Sequence, residues 1–395
     1  MVELLSPVQD YVSLKAAIEA GADAVYFGIK GLNMRAAAKN FLVSDLKKIV
    51  EECHSSNVKA YLTLNIIVYD NELKKVESVL KKAKEAKIDA IICWDFSVIS
   101  LCKKMNLPFH ISTQASVSNF EAVRFFAKIG AESINLAREL SLKQVKYIID
   151  KIKKDKIKIK IEVFVHGAMC VSVSGRCFIS QFEFGKSANR GECLQPCRRQ
   201  YEVKDPEENK KLRLGNNFIM SPKDLCSLPF LDKILKTGVD ALKIEGRNRS
   251  PEYVKEVTSA YREAIDNGFR PELMEKVKDV YNRKFSSGFY LGIPTDDDWT
   301  DIYGSAAKKK KIYVGVVKHF YGKLGVGEVK VEAYPLKIGD RIMVQGNKTG
   351  VFEQELRSIQ VNHKEIKKIK KGLAAIKFDK KVRANDKIFA IKRKK

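Results

Sequence analysis

Five of the eight cysteines in this 395-residue chain fall between positions 170 and 226, spaced Cys170-x6-Cys177-x15-Cys193-x3-Cys197-x28-Cys226. Even scatter would place about one there, so the cluster reads as metal-ligand chemistry. Structural zinc sites usually present two short pairs of the C-x2–4-C kind, and only Cys193 and Cys197 stand that close. Iron–sulfur clusters need four thiolates and tolerate irregular spacing. Gly175, Gly185 and Gly191 among the cysteines permit tight turns around such a group. Spacing alone favours an iron–sulfur cluster, with zinc second and a purely structural thiol cluster third. Cys53, Cys93 and Cys102 lie in helix or strand patterns and read as core residues.

A second group of polar residues closes short apolar runs: Tyr26, Asn65, Asp95, Thr113 with Gln114, Arg138, His166, and Lys243 with Glu245. Strand periodicity puts Glu162, Phe164 and His166 on one face, and Lys243 with Glu245 on another. Buried charges must be paired, so these residues either form an ion-pair network or receive a polar ligand. Arg138 and Arg247 suit bidentate grip on carboxylates. Each residue alone reads as a satisfied structural polar group; an inert set is harder to credit. His166 lies four residues before Cys170, which raises a Cys/His nucleophile, but no His-Glu-x-x-His or Gly-x-Ser-x-Gly accompanies it.

The elements that must position these groups alternate. Strand patterns at 3–6, 24–28, 59–64, 90–94, 109–113, 133–136, 159–165 and 241–244 are separated by amphipathic stretches. Gly21, Gly130 and Gly238 each end a helical pattern just before a strand, the punctuation of βα units. Eight such strands predict an α/β fold, a TIM-like (β/α)8 barrel over residues 1–290, whose catalytic groups project from the C-terminal strand ends. An open doubly wound sheet is the alternative, but no Gly-rich dinucleotide turn follows the first strand. A Cys-rich insertion at 167–226 interrupts the barrel. Residues 306–395 alternate apolar and polar with Gly turns, predicting a small antiparallel β-barrel domain.

The chain carries 73 Lys and Arg against 48 Asp and Glu, a net +25. Residues 306–395 hold 25 basic and 8 acidic residues, so +17 of that excess sits in the last 90 positions. Such a density attracts polyanions; a lysine-rich thermophilic surface is the plainer reading. No run of about 18 apolar residues is present, and the opening MVELLSPVQD has no secretory pattern. No membrane partner and a cytoplasmic location are therefore expected.

Four stretches carry a recognisable signature: EVFVHGAMCVSVSGRC (162–177), GECLQPCR (191–198), MSPKDLC (220–226) and LKIEGR (242–247), preceded by AGADAVYFG (20–28). Together they resemble the collagenase-like peptidase family U32 along nearly the whole chain. The resemblance implies hydroxylation of RNA bases (tRNA wobble uridine or a ribosomal RNA cytidine) or of the ubiquinone ring. It implies chemistry without molecular oxygen, with prephenate as oxygen source and, in some members, a [4Fe–4S] cluster. By that similarity the ligands are Cys170, Cys177, Cys193 and Cys226, with the role of Cys197 open. The basic C-terminal domain is similar to the β-barrel of RNA-modifying members. An iron–sulfur tRNA uridine hydroxylase is thus expected, with RNA and a small dicarboxylate as partners. His166, Lys243 and Glu245 are its expected proton-transfer groups, and Tyr26, Asn65, Gln114, Arg138 and Arg247 its expected substrate-binding residues. A peptidase, or a non-catalytic RNA-binding protein with a structural cluster, are the rivals.

Overall fold

The computed structural model describes every residue except Met1, Ala37, residues 209–210 and 213–219, and Lys395; part of the expected insertion therefore lies outside the described residues. Eight parallel strands form the ring of the N-terminal sheet: β1 Glu3–Pro7, β2 Ala24–Gly28, β3 Lys59–Thr63, β4 Ala90–Cys93, β5 Phe109–Ile111, β6 Ser133–Asn135, β7 Lys160–Gly167 and β8 Ala241–Ile244, with the short strands Asp224–Cys226 and Phe285–Ser286 added beyond β7. Because β8 pairs in parallel with both β1 and β7, the sheet closes into a barrel. Helices α1 Tyr11–Glu19, α2 Leu46–His54, α3 Leu73–Glu85, α4 Phe96–Lys104, α5 Phe120–Lys128, α6 Leu142–Lys154, α7 Leu231–Thr237 and α8 Pro251–Asn267 surround it, followed by α9 Pro271–Asp279.

Strand alternation sorts the side chains. On β2, Val25 and Phe27 pack outward under the helices while Ala24 and Tyr26 point into the barrel with Leu5, Tyr61 and Ile92. Helix starts are fixed locally, as at α1, where Asp10 and Ser13 form a reciprocal capping box. Gly21, Gly130 and Gly238 turn the chain back into the sheet with φ from +84° to +95°, a region only glycine enters freely.

One irregularity decides the site. Along β7 and β8 the pairing passes from Phe164↔Lys243 directly to His166↔Ile244, so two residues of β7 oppose one of β8. This β-bulge shifts the face presented by everything after Phe164.

The second sheet is antiparallel, in the order β12-β11-β14-β9-β10-β13, from β9 Lys309–Tyr321, β10 Val326–Val331, β11 Arg341–Gly346, β12 Gly350–Glu355, β13 Gly372–Lys377 and β14 Lys387–Arg393. It curls around Val314, Val317, Val344, Ile376 and Ile388. The seam between β12 and β13 is bridged by a side chain. Gln354 Nε2 donates to Lys377 O (2.9 Å), and Asp379 N donates to Gln354 Oε1 (3.0 Å). The two units share a packed face in which Ala16 of α1 meets Met343, Val351 and Ile391. Glu252 at the start of α8 binds Lys311 (2.8 Å) and Gln345 (2.8 Å).

Candidate active site at the barrel mouth

Loops beyond the C-terminal strand ends enclose a cavity of about 130 Å³. Of the expected residues, Tyr26, Asn65, Gln114, Arg138, Lys243, Glu245 and Arg247 all line it, together with Cys170 and Cys193. Its floor is ionic. Lys243 Nζ lies 2.7 Å from Glu162 Oε1, which also accepts from Asn135 Nδ2, and it sits 4.5 Å from the Tyr26 ring centroid. Burial pushes the Lys243 pKa down, with Glu162 working against it.

Arg35 and Arg198 also line the cavity and are not apparent from strand periodicity. Arg35 lies seven residues beyond β2, on an irregular loop. That loop is clamped by the insertion: Ala36 N donates to Gly191 O (2.9 Å), and any Cβ at Gly191 would strike the Asn33 carbonyl. The clamp sets Arg35 Nη2 2.9 Å from Glu245 Oε1. Burial alone would raise the Glu245 pKa, but Arg35, Arg249 and Arg138 together bring it down to about 2. Glu245 is therefore a fixed carboxylate at neutral pH.

The arginines are in excess. Arg247 is buried; its Nη1 donates to Asn33 Oδ1 (2.9 Å) and Thr63 Oγ1 (2.7 Å). Burial lowers its pKa to about 10, with Arg35 adding to the effect. Arg138 stacks 3.8 Å over Phe164 and donates to Ala168 O (2.7 Å). Its Nε, like Asn135 Oδ1, has no hydrogen-bond partner. Among the described residues no carboxylate lies within 4 Å of Arg138 or Arg247. Glu245 acts on both at longer range, but neither guanidinium has a direct ion-pair partner, which leaves their N–H groups open to an anionic ligand. The other expected contacts are internal: Tyr26 donates to Ile244 O (2.8 Å), and Asn65 Nδ2 donates to Gln114 Oε1 (3.3 Å).

The expected site residues His166 and Cys226 stand outside the cavity lining. His166 does not join the cavity. The bulge places it opposite Ile244 on the outer face, where it is buried among Tyr253, Tyr261 and Phe285, with Nδ1 3.3 Å from Tyr261 Oη. Burial lowers its pKa to about 4. Cys226 is likewise apart from the other thiols. It pairs with His166 across an antiparallel bridge, and its Sγ lies 3.9 Å from both Met274 Sδ and Tyr261 Oη.

Cys170, Cys193 and Cys197 line the cavity, and Cys177 lies on the same insertion. Backbone N–H groups of Ile179 and Gln195 point at the sulfurs of Cys177 and Cys193, each at 3.4 Å; burial raises the Cys193 pKa, with the Gln195 N–H and Arg35 working against it. Among the described residues no three Cys, His, Asp or Glu side chains stand at metal-holding distance. Neither the expected set with Cys226 nor one with Cys197 is gathered around a shared centre in this arrangement. Cys170, Cys177, Cys193 and Cys197 have the right donor chemistry on one insertion, and their loops would have to draw together to bind.

The sequence matches the profile of Peptidase family U32 over residues 9–300. The chain belongs to peptidase family U32. Within U32 it is 43% identical to a collagenase of Porphyromonas gingivalis, over 98% of this chain and 97% of that one. It is 34% identical to tRNA hydroxylation protein P1 of Bacillus subtilis (80% and 77%). With a 23S rRNA 5-hydroxycytidine synthase of Escherichia coli it shares 36% identity (67% and 39%). Among the described residues no helix is long and apolar enough to cross a membrane.

Proposed function

We propose that this U32 protein hydroxylates a pyrimidine of RNA, with a tRNA uridine as the favoured substrate and a small dicarboxylate such as prephenate as the oxygen donor. One observation carries the reading. A cleft of about 900 Å³ between the mouth and the second sheet is lined by Lys39, Lys348, Arg383 and Lys387, and Asn248 lines both this cleft and the arginine-rich cavity. A phosphate backbone held by the basic domain would therefore lead to the mouth, where a base must leave its stack to be modified. The hydroxylation names of two relatives support the same reading.

In this reading Arg138 and Arg247 hold the donor's carboxylates. Glu245, kept ionised by Arg35, accepts hydrogen bonds from the substrate and does not itself shuttle protons. Lys243, balanced between burial and Glu162, is the proton donor at the cavity floor. An iron–sulfur cluster, which Cys170, Cys177, Cys193 and Cys197 would hold, would supply one-electron chemistry beside the mouth.

Peptidase activity is the second reading, favoured by the name of the 43% identical relative. A Cys170–His166 pair cannot serve it in this geometry, since the partners of His166 are Tyr253, Tyr261 and Phe285. The two readings separate by assay of the full chain. RNA binding is expected to weaken with salt, and K348A and R383A should each reduce the logarithmic salt slope by about 0.7 to 0.9. Salt-independent binding together with release of peptides from gelatin would favour the peptidase.

A further inference from the structure

The Cys-rich insertion has two sides. Its inner side lines the cavity, and its outer side carries a short helix, Ile179–Phe184, with Phe178 63% exposed and Phe182 86% exposed. Their ring centroids are 6.1 Å apart with planes inclined at 36°. Local bonds hold this pair in place: Ile179 N donates to Cys177 Sγ (3.4 Å), and Leu194 N donates to Ser180 Oγ (3.0 Å). Two more exposed aromatics, Tyr69 and Phe96, stand beyond the ends of β3 and β4 on the same rim. Guanidinium groups lie over rim rings, Arg190 at 4.7 Å from Tyr69 and Arg176 at 5.2 Å from Trp94.

Resting on the RNA reading above, we infer that Phe178 and Phe182 are a stacking platform for the bases flanking the target nucleotide of a single-stranded RNA segment. Folding gains nothing from leaving two phenylalanines in water, so a partner that covers them is indicated. Charge identifies the class of partner. Of the five Arg and Lys in residues 170–200, Arg190 pairs with Glu72 (2.6 Å) and Arg198 donates inward to Pro222 O (2.9 Å), while among the described residues no carboxylate lies within 4 Å of Arg176 or Lys186. Aromatic faces beside the cations Arg176 and Lys186, neither of them ion-paired, suit a polyanion with π faces. Moving one base into the mouth unstacks its neighbours, and those neighbours regain a stacking surface on the rim.

The test uses the full chain and an RNA hairpin with a pyrimidine-containing loop, read by fluorescence anisotropy. F178A/F182A is expected to bind at least about tenfold more weakly, with an unchanged salt slope, while F178W/F182W retains affinity. On the same hairpin with abasic sites flanking the target, the wild type and F178A/F182A should bind alike. Unaltered thermal melting of F178A/F182A confirms that folding is intact, as the exposed rings predict. Equal affinity of wild type and F178A/F182A for the intact hairpin would overturn the stacking role alone. Absence of any wild-type binding to RNA would overturn both this role and the RNA reading.

Discussion

Lys243 Nζ stands 2.7 Å from Glu162 Oε1 across β8 and β7, and each side chain is only 5% exposed. The pair ties the barrel floor to the site above it. Removing one partner from a buried ion pair leaves an uncompensated charge and costs about 3–5 kcal/mol, whereas replacing both with apolar residues recovers most of that loss. E162Q is therefore expected to lower stability by about 3 kcal/mol, and K243M/E162M to recover most of it while remaining inactive. Urea unfolding of the single and double variants checks this; a K243M/E162M protein less stable than either single variant would contradict it.

His166 provides a pH signature. Burial lowers its folded pKa to about 4 from the ordinary value near 6.5, so on acidification the unfolded chain takes up this proton first. Stability is then full above about pH 6.5 and declines as pH falls toward 4, by up to about 3 kcal/mol from this group. His110, lowered by burial to about 3, adds a loss that begins at the same upper pH and continues to about pH 3. H166F keeps an aromatic ring among Tyr253, Tyr261 and Phe285 and should reduce the pH 4–6.5 slope, leaving the share that His110 contributes. Urea midpoints across pH 4–8 measure it, and an H166F slope equal to that of the wild type would count against the assignment.

The unpaired arginines predict a binding defect. R138K removes the planar fork and leaves a point charge, so prephenate affinity by isothermal calorimetry should fall about tenfold or more, with little change in melting temperature. The same fall is expected for R247K. Unchanged affinity in both variants would remove the dicarboxylate from the cavity.

The thiols can be sorted by iron content. After anaerobic reconstitution, C197S is expected to lose bound iron and sulfide along with C170S, C177S and C193S, whereas C226S retains them. Iron loss in C226S with retention in C197S would restore the set implied by family resemblance.

The strands and their residues were legible because apolar alternation and the Gly21, Gly130 and Gly238 turns are local signals. Tyr26, Lys243 and Glu245 followed from reading strand ends on a barrel, and Arg247 from its suitability to grip carboxylates. His166 did not, because the bulge beside Phe164 is a property of two paired strands and changes the face of His166 without any mark in β7 alone. Cys226 belongs to the antiparallel strand Asp224–Cys226, so spacing from the other thiols says nothing of its direction. Arg35 reaches Glu245 only through the contact of its loop with Gly191, a residue 156 positions away in sequence.

The most direct test of RNA hydroxylation is mass spectrometry of nucleosides from cells with and without this protein, and from cells carrying K243M. A hydroxylated pyrimidine present only with the wild-type chain is the predicted result. Identical nucleoside profiles in all three would contradict it.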